Sequence, residues 1–491
     1  MPGCEGTGRR RTHLAAEIEI EGVELRATRC RTRLPFRFGI VTLTEAPVVV
    51  ARVRARVDGV TSGGFAADLC VPKWFEKDPQ KSVHEDVATL FSSAERAATA
   101  WTGAAGTPFG VWQAAHRRCL DGDLASGVKL VDGFGVALVE RAMLDATCQA
   151  AERSFLGALE NDLFGFDAGA LLPELEGDTH AKSPALLAHP SADRVLVRHT
   201  VGGLDPLRRT EVSPALRGDD DHPVALEDDI ARFGLRAFKL KAGGVPEDDV
   251  ARLCEIVRVV DEAGVTDPIY SLDANESYED VTTVAALLDR LEADPDGRRL
   301  VESLVYLEQP LPRARTLDPS TADDIRALAA RVPLLIDEAD DAIDAFARAT
   351  AFGYRGVSVK NCKGVFRSLA NRALVLARND GSFQTSEDLT NLPMLPLQQD
   401  LATVAALGLE HSERNGHHFF PGLDVVPTAE AEAALSAHPD LYERRGDRIV
   451  LRIEEGAISL ACARASGFGY AGRVDWEARD SLANVIVEPL G

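Results

Sequence analysis

Residues 237–244, AFKLKAGG, decide how this chain is read. Alternate residues of a strand share a side, so Lys239 and Lys241 point one way while Phe238 and Leu240 point the other. An apolar side under covering helices and a cationic side toward an axis suit a strand of a β/α barrel, near the C-terminal end where barrels carry their active sites. Seven further short runs share this character: VLVRHTV (195–201), IYSLDAN (269–275), LVYLEQP (304–310), PLLIDEA (333–339), GVSVKN (356–361), SFQTSED (382–388) and ALGLEHS (406–412). Helical segments such as ALEDDIARFG (225–234) and DVARLCEIVRVVDEAG (249–264) separate them. Alternation of this kind predicts βαβ units, a parallel sheet and, with eight strands, a closed (β/α)8 barrel.

Upstream the pattern differs. From about Ala15 to Val57 the chain alternates as strands do, and VHEDVATLFSSAERAATAW (83–101) and GVALVERAMLDATCQAAERSF (135–155) then place apolar residues at spacings of three and four. Strands followed by helices predict an α+β domain. The expected organisation is an α+β domain over residues 13–150, a barrel over 151–425 and a C-terminal segment over 426–491 that packs back on the first domain. Residues 167–193 and 204–223, rich in Pro, Gly and charge, read as insertions, and Asp219–Asp221 as a solvated charge run.

Composition narrows the function. The 491 residues are 45% apolar and 27% charged, the balance of an ordinary globular protein. A formal charge of −23 leaves no general attraction to phosphate backbones or anionic lipid, so neither nucleic acid nor membrane is an expected partner. An anionic substrate would have to be drawn in by cations at the site itself. The eight cysteines show no C-x-x-C spacing, which argues against a zinc module or a disulfide framework, and no apolar run reaches membrane-span length. A cytoplasmic protein with reduced thiols is expected.

Strand parity also gathers the chemistry. Asp273 and Asn275 share the inward side of their strand, as do Glu308, Asp337 and Lys360 on theirs. Buried charges need compensation, and three carboxylates at successive strand ends suit a hard cation, Mg²⁺ or Mn²⁺, with Asp273, Glu308 and Asp337 as ligands and Glu338, of opposite parity, outside the set. A carboxylate substrate bound there would have its developing enolate charge stabilised. A lysine at its ordinary pKa of about 10.4 is a poor base, and a second cation two residues away favours its neutral form. Lys241 is therefore the expected base and Lys239 the partner that tunes it. Lys360, across the barrel, would serve the opposite face.

In order, FKLKAGG, YSLDANESY, LVYLEQPL, LLIDEAD and VSVKNCKG resemble the signature of the enolase superfamily, specifically its muconate-lactonising subgroup in the mandelate racemase/muconate lactonizing enzyme family. The resemblance implies a modified (β/α)8 TIM barrel with an N-terminal α+β capping domain. It implies metal-dependent proton abstraction alpha to a carboxylate, giving racemisation, epimerisation or cycloisomerisation of a small carboxylate, in an enzyme expected to form a homo-oligomer. A hydroxy-acid dehydratase is the alternative, and a non-catalytic binding protein of the same fold a third. PFRFGI and GGFAADLC resemble loops that close over substrate, which makes Phe38, Asp68 and Trp74 candidate substrate contacts. Glu387, Asp388, His411 and Asn275 are candidates around the barrel rim, with Glu413 beside them, whereas His199, His417 and His418 read as structural or rim residues. Two departures stand out: Lys360 is followed by Gly364 alone where the family carries a double glycine, and the seventh strand holds no histidine.

Overall fold

The computed structural model describes residues 15–38, 41–188, 192–217, 222–389, 394–420 and 422–486. Strands β1 (Ile18–Phe38), β2 (Val41–Val57) and β3 (Val60–Leu69) form an antiparallel sheet, with the short β4 (Ala105–Gly106) on the far edge of β1. Along β2 the ends alternate, with Val41 and Leu43 buried and Thr42 and Thr44 exposed, whereas the middle is buried on both sides. One cover is supplied by α1 (Val83–Trp101), α2 (Pro108–Leu120) and α3 (Lys129–Ala150), of which α3 lies directly on β2 and β3. α1 begins with a reciprocal capping box between Ser82 and Glu85.

The barrel strands are β5 (Arg194–Val201), β6 (Ala237–Lys241), β7 (Ile269–Asp273), β8 (Leu304–Glu308), β9 (Leu334–Ile336), β10 (Gly356–Val359), β11 (Phe383–Ser386) and β12 (His411–Glu413). Neighbours pair in parallel and in order, and β12 returns to pair with β5, so these eight strands close as expected. The last strand differs from its reading. Ala406 and Leu407 belong to the helix Leu395–Leu407, which Gly408 ends in the left-handed conformation at φ 65°, so the strand starts at His411. After β12 the chain makes the short helix Gly416–Phe419 and a 3₁₀ turn at Leu423–Val425 before the helix Thr428–Ala437.

The C-terminal residues touch both parts. A hairpin of β13 (Tyr442–Arg445) and β14 (Arg448–Leu451) precedes β15 (Ala457–Ser459), which pairs antiparallel with β5. Beyond it Asp480 bridges to Ala27 of β1, and Trp476 lies under the guanidinium groups of Arg26 and Arg52.

One further sequence expectation is corrected. Gly63–Leu69 of the presumed loop GGFAADLC is β3 itself, because Gly64 lets α3 approach so closely that a Cβ there would meet Ala142 O and Ala146 N at 2.2 Å each. The segment 167–188, read as an insertion, is a packed run of 3₁₀ turns with Leu172, Leu175 and Leu186 buried. Asp219–Asp221 lie outside the described residues. Cys30, Cys70, Cys119, Cys148, Cys254, Cys362 and Cys462 are all free and buried. Among the described residues no helix is long and apolar enough to cross a membrane.

Candidate active site

The charged residues meet at and just beyond the C-terminal ends of the barrel strands. In register, Lys241 of β6 lies beside Asp273 of β7, and Asp273 beside Glu308 of β8. Lys239 Nζ sits at the barrel axis 3.0 Å from Asp273, 3.0 Å from Glu308 and 3.2 Å from Glu413, and it also ion-pairs with Glu387. Lys241 Nζ donates to Asp273 Oδ2 at 2.5 Å and to Asn275 Oδ1 at 2.8 Å. On the other side Lys360 Nζ donates to Asp337 Oδ2 at 2.7 Å and lies 4.5 Å from the centre of the Trp74 ring, a cation–π contact supplied by the first domain.

Burial and pairing set the charges. Burial alone would discharge Lys239, but Asp273, Glu308, Glu387 and Glu413 outweigh it and hold it an ammonium; at Lys360 burial is likewise outweighed, by Asp337 above all. Asp273 stays below the usual carboxylate range because Lys239 and Lys241 overcome its burial, and Lys360 and Lys363 do the same for Asp337. Glu308 is pushed well up by burial and by the charges of Asp273 and Glu387. Burial, with Asp337 beside it, raises Glu338 to about 6. Carboxylates thus outnumber the cations that reach them, and two buried oxygens, Glu308 Oε2 and Glu338 Oε2, accept no hydrogen bond, although the first lies 3.0 Å from Lys239 Nζ. Hard, orphaned oxygen donors of this kind fit a divalent cation.

A pocket open in part to solvent lies over this layer, lined in part by Phe36, Trp74, Lys239, Lys241, Lys360 and Asp388. Backbone strain surrounds its rim: Asn275, Glu276 and Gln309 have φ of 44°, 68° and 36°, a region non-glycine residues adopt at a cost of about 1–3 kcal/mol each. Their neighbours hold them there. Glu276 binds Arg313 at 2.8 Å and Lys77 at 2.6 Å, and Arg313 donates to Trp74 O and Phe75 O, so the Trp74–Lys77 segment is latched over the barrel mouth.

The remaining candidates separate. Asp388 lines the cavity and accepts from Asn415 N at 3.0 Å. Glu387 lies deeper, where it also pairs with Arg198, and burial raises it to about 7. His411 sits beside the Arg198 guanidinium rather than among the residues that line the cavity, and burial, then Arg198, takes it down to about 3. Asp68 belongs to β3, where Arg141 binds its carboxylate at 2.6 Å. Phe38 ends β1, and its side chain lies outside the described residues. Sequence reasoning missed Arg198, Lys363 and Gln309. Arg198 had the signal of parity, since it alternates with Thr200 toward the axis and donates to Thr385 at 3.0 Å. Lys363 reaches Ser358 Oγ at 2.8 Å and Asp340 at 3.0 Å, and Gln309 Oε1 accepts from Asp337 N and Ala339 N.

A sheet-bearing domain over a closed barrel is also the fold of solved structures from the enolase superfamily, and this chain shares that fold. A muconate lactonizing enzyme from Pseudomonas Fluorescens complexed with muconolactone is similar at 14% identity and a TM-score of 0.58, over 93% of this chain and 97% of that one. An enolase from Bradyrhizobium complexed with magnesium and mandelic acid shares 17% identity, with a TM-score of 0.55 over 93% and 96%. A dipeptide epimerase from Methylococcus capsulatus complexed with Mg and the dipeptide L-Arg-D-Lys shares 16%, with a TM-score of 0.55 over 90% and 99%. No protein-family model matches the sequence, and no curated protein sequence does.

Proposed function

We propose that this chain is an enolase-superfamily enzyme that removes the proton alpha to the carboxylate of a small substrate and thereby racemises, epimerises or cycloisomerises it. The observation that supports this reading is the placement of Lys241 and Lys360. They line one cavity from β6 and from the end of β10, the second and sixth of eight barrel strands, and so approach a bound molecule from opposite sides. Asp273, Glu308 and Asp337 are the residues proposed to hold Mg²⁺ or Mn²⁺, which when bound would stabilise negative charge developing on the substrate carboxylate. Lys241, the one of the three lysines not fully buried, takes the proton at its Nζ. Lys360 either protonates the opposite face or stays charged against the enolate. Lys239, fixed as an ammonium by four carboxylates, orders the floor of the site. Trp74 lies against Lys360 through its ring face.

The test is deuterium exchange at the α-carbon across a library of carboxylates in D₂O with Mg²⁺, which detects proton abstraction without net turnover. Uptake on at least one carboxylate, abolished by chelation and by the double variant Lys241→Ala/Lys360→Ala, is expected. A library without exchange in either Mg²⁺ or Mn²⁺ overturns the reading.

A further inference from the structure

Arg198 and Thr200 of β5 face the barrel axis, where Thr200 Oγ1 donates to Glu413, so His199 between them points outward, beneath the helix Leu226–Phe233 and the turn Gly416–Phe419. There it meets Asp229 and His418. The three residues are 4%, 0% and 3% exposed, and one ligand atom of each, two imidazole nitrogens and a carboxylate oxygen, lies within 4.8 Å of the others. His418 Nδ1 is 3.3 Å from Asp229 Oδ2 and His199 Nε2 is 3.9 Å from it. These contacts are long for charge-assisted hydrogen bonds, which run at about 2.7–2.9 Å. Asp229 Oδ2 accepts no hydrogen bond at all, although it is fully buried. Ligand atoms about 2.0–2.1 Å from a tetrahedral metal stand roughly 3.3–3.4 Å apart, which is the spacing of His418 and Asp229. The other nitrogen of His199, Nδ1, lies 3.2 Å from His417 Nε2, the partner that orients a ligating imidazole.

We propose that His199, Asp229 and His418 form a second metal site, selective for a borderline transition metal of the zinc class and structural in role. Two imidazoles disfavour Mg²⁺, which separates this site from the all-oxygen set inside the barrel. Its position assigns its work. His199 and His418 flank the seam where β12 closes on β5, and the turn that carries His418 also carries Phe419, whose ring is tilted against that of Phe36 of the cavity wall with their centres 4.3 Å apart. A metal here ties β5, the helix Leu226–Phe233 and that turn together. The proposal is independent of the reaction assigned to the barrel.

The experiment uses untagged full-length protein, stripped by chelation and then saturated with Mg²⁺, with Co²⁺ as the spectroscopic probe and Zn²⁺ as competitor. One equivalent of Co²⁺ should bind with the visible absorption of a four-coordinate site and be displaced by Zn²⁺. X-ray absorption of the Zn²⁺-loaded protein should show two imidazole scatterers. His418→Gln and Asp229→Asn should each weaken binding by about 100-fold or more. Absence of Co²⁺ binding under Mg²⁺, a zinc shell without two imidazoles, or unchanged affinity in folded variants overturns the site. The spectra of the parent protein decide the matter even where a variant fails to fold.

Discussion

Lys241 and Lys360 differ in what holds them, and the difference is testable. Lys241 shares Asp273 with Lys239, whereas Lys360 is clamped between Asp337 and the Trp74 ring. Loss of a general base typically costs about 10² to 10⁴ in rate, so either alanine variant should be severely impaired in turnover. In an epimerase each variant should retain α-hydrogen exchange with one enantiomer only, Lys241→Ala with one and Lys360→Ala with the other. Loss of exchange with both enantiomers in both variants would make Lys360 a stabilising cation instead. The neighbouring carboxylates separate in the same way. Asp337 is held charged by Lys360 and Lys363 and continues the inward side of β9, while Glu338 follows it on the opposite parity. Calorimetry should therefore find Mg²⁺ affinity lowered about 10- to 100-fold by Asp337→Asn and little changed by Glu338→Gln; the reverse pattern would exchange their roles.

Between elements, the latch of Arg313 and Glu276 joins the first domain to the barrel. Arg313 alone donates to Trp74 O, Phe75 O and Glu276, and each hydrogen bond to a charged group is worth about 1.5–3 kcal/mol. Arg313→Ala should loosen the Trp74–Lys77 segment, which Lys77 still ties to Glu276, raising KM by about tenfold and speeding amide exchange in residues 71–78. Unchanged exchange there would make the latch incidental. What could be read from the sequence follows the same division between element and neighbour. Period-two alternation carries its own orientation, so Lys239, Lys241, Asp273, Glu308, Asp337 and Lys360 could be assigned inward sides without a structure. Gly63 and Gly64 misled, because glycine marks both a loop and a strand pressed against a helix. Gln309 and Lys363 were invisible for a different reason: their partners come from other strands, and nothing within LEQP announces a left-handed backbone at φ 36°.

At the scale of the molecule, buried titratable groups pull stability in opposite directions with pH. Burial pushes Asp68 and Asp145 up to about 6 and Glu140 up to about 7, above the roughly 4 to 4.5 of an unfolded chain. The folded protein therefore binds more protons at these groups between those limits, and their contribution to stability is lost as pH rises through the window. Buried imidazoles act the other way. His116, His222 and His411 are lowered to about 3, 4 and 3, so their contribution is present above about 6.5 and lost as pH falls. The two sets oppose each other in the parent protein, and a single group is seen only by difference. Glu140 is the informative one, since its Oε1 accepts from Phe366 N at 2.7 Å and joins α3 to the barrel helix Val365–Arg378. Glutamine keeps that acceptor and cannot titrate. Urea unfolding of the parent and of Glu140→Gln, in chelator at pH values from 4.5 to 8, should show the parent losing stability relative to the variant as pH rises to about 7. The slope should approach 1.4 kcal/mol per pH unit, the limit for one proton, and vanish above pH 7. Parallel curves for the two proteins would mean that the Glu140 carboxyl is no harder to ionise folded than unfolded, and that its contact with Phe366 N, with the charges of Arg141 and Arg367, cancels its burial.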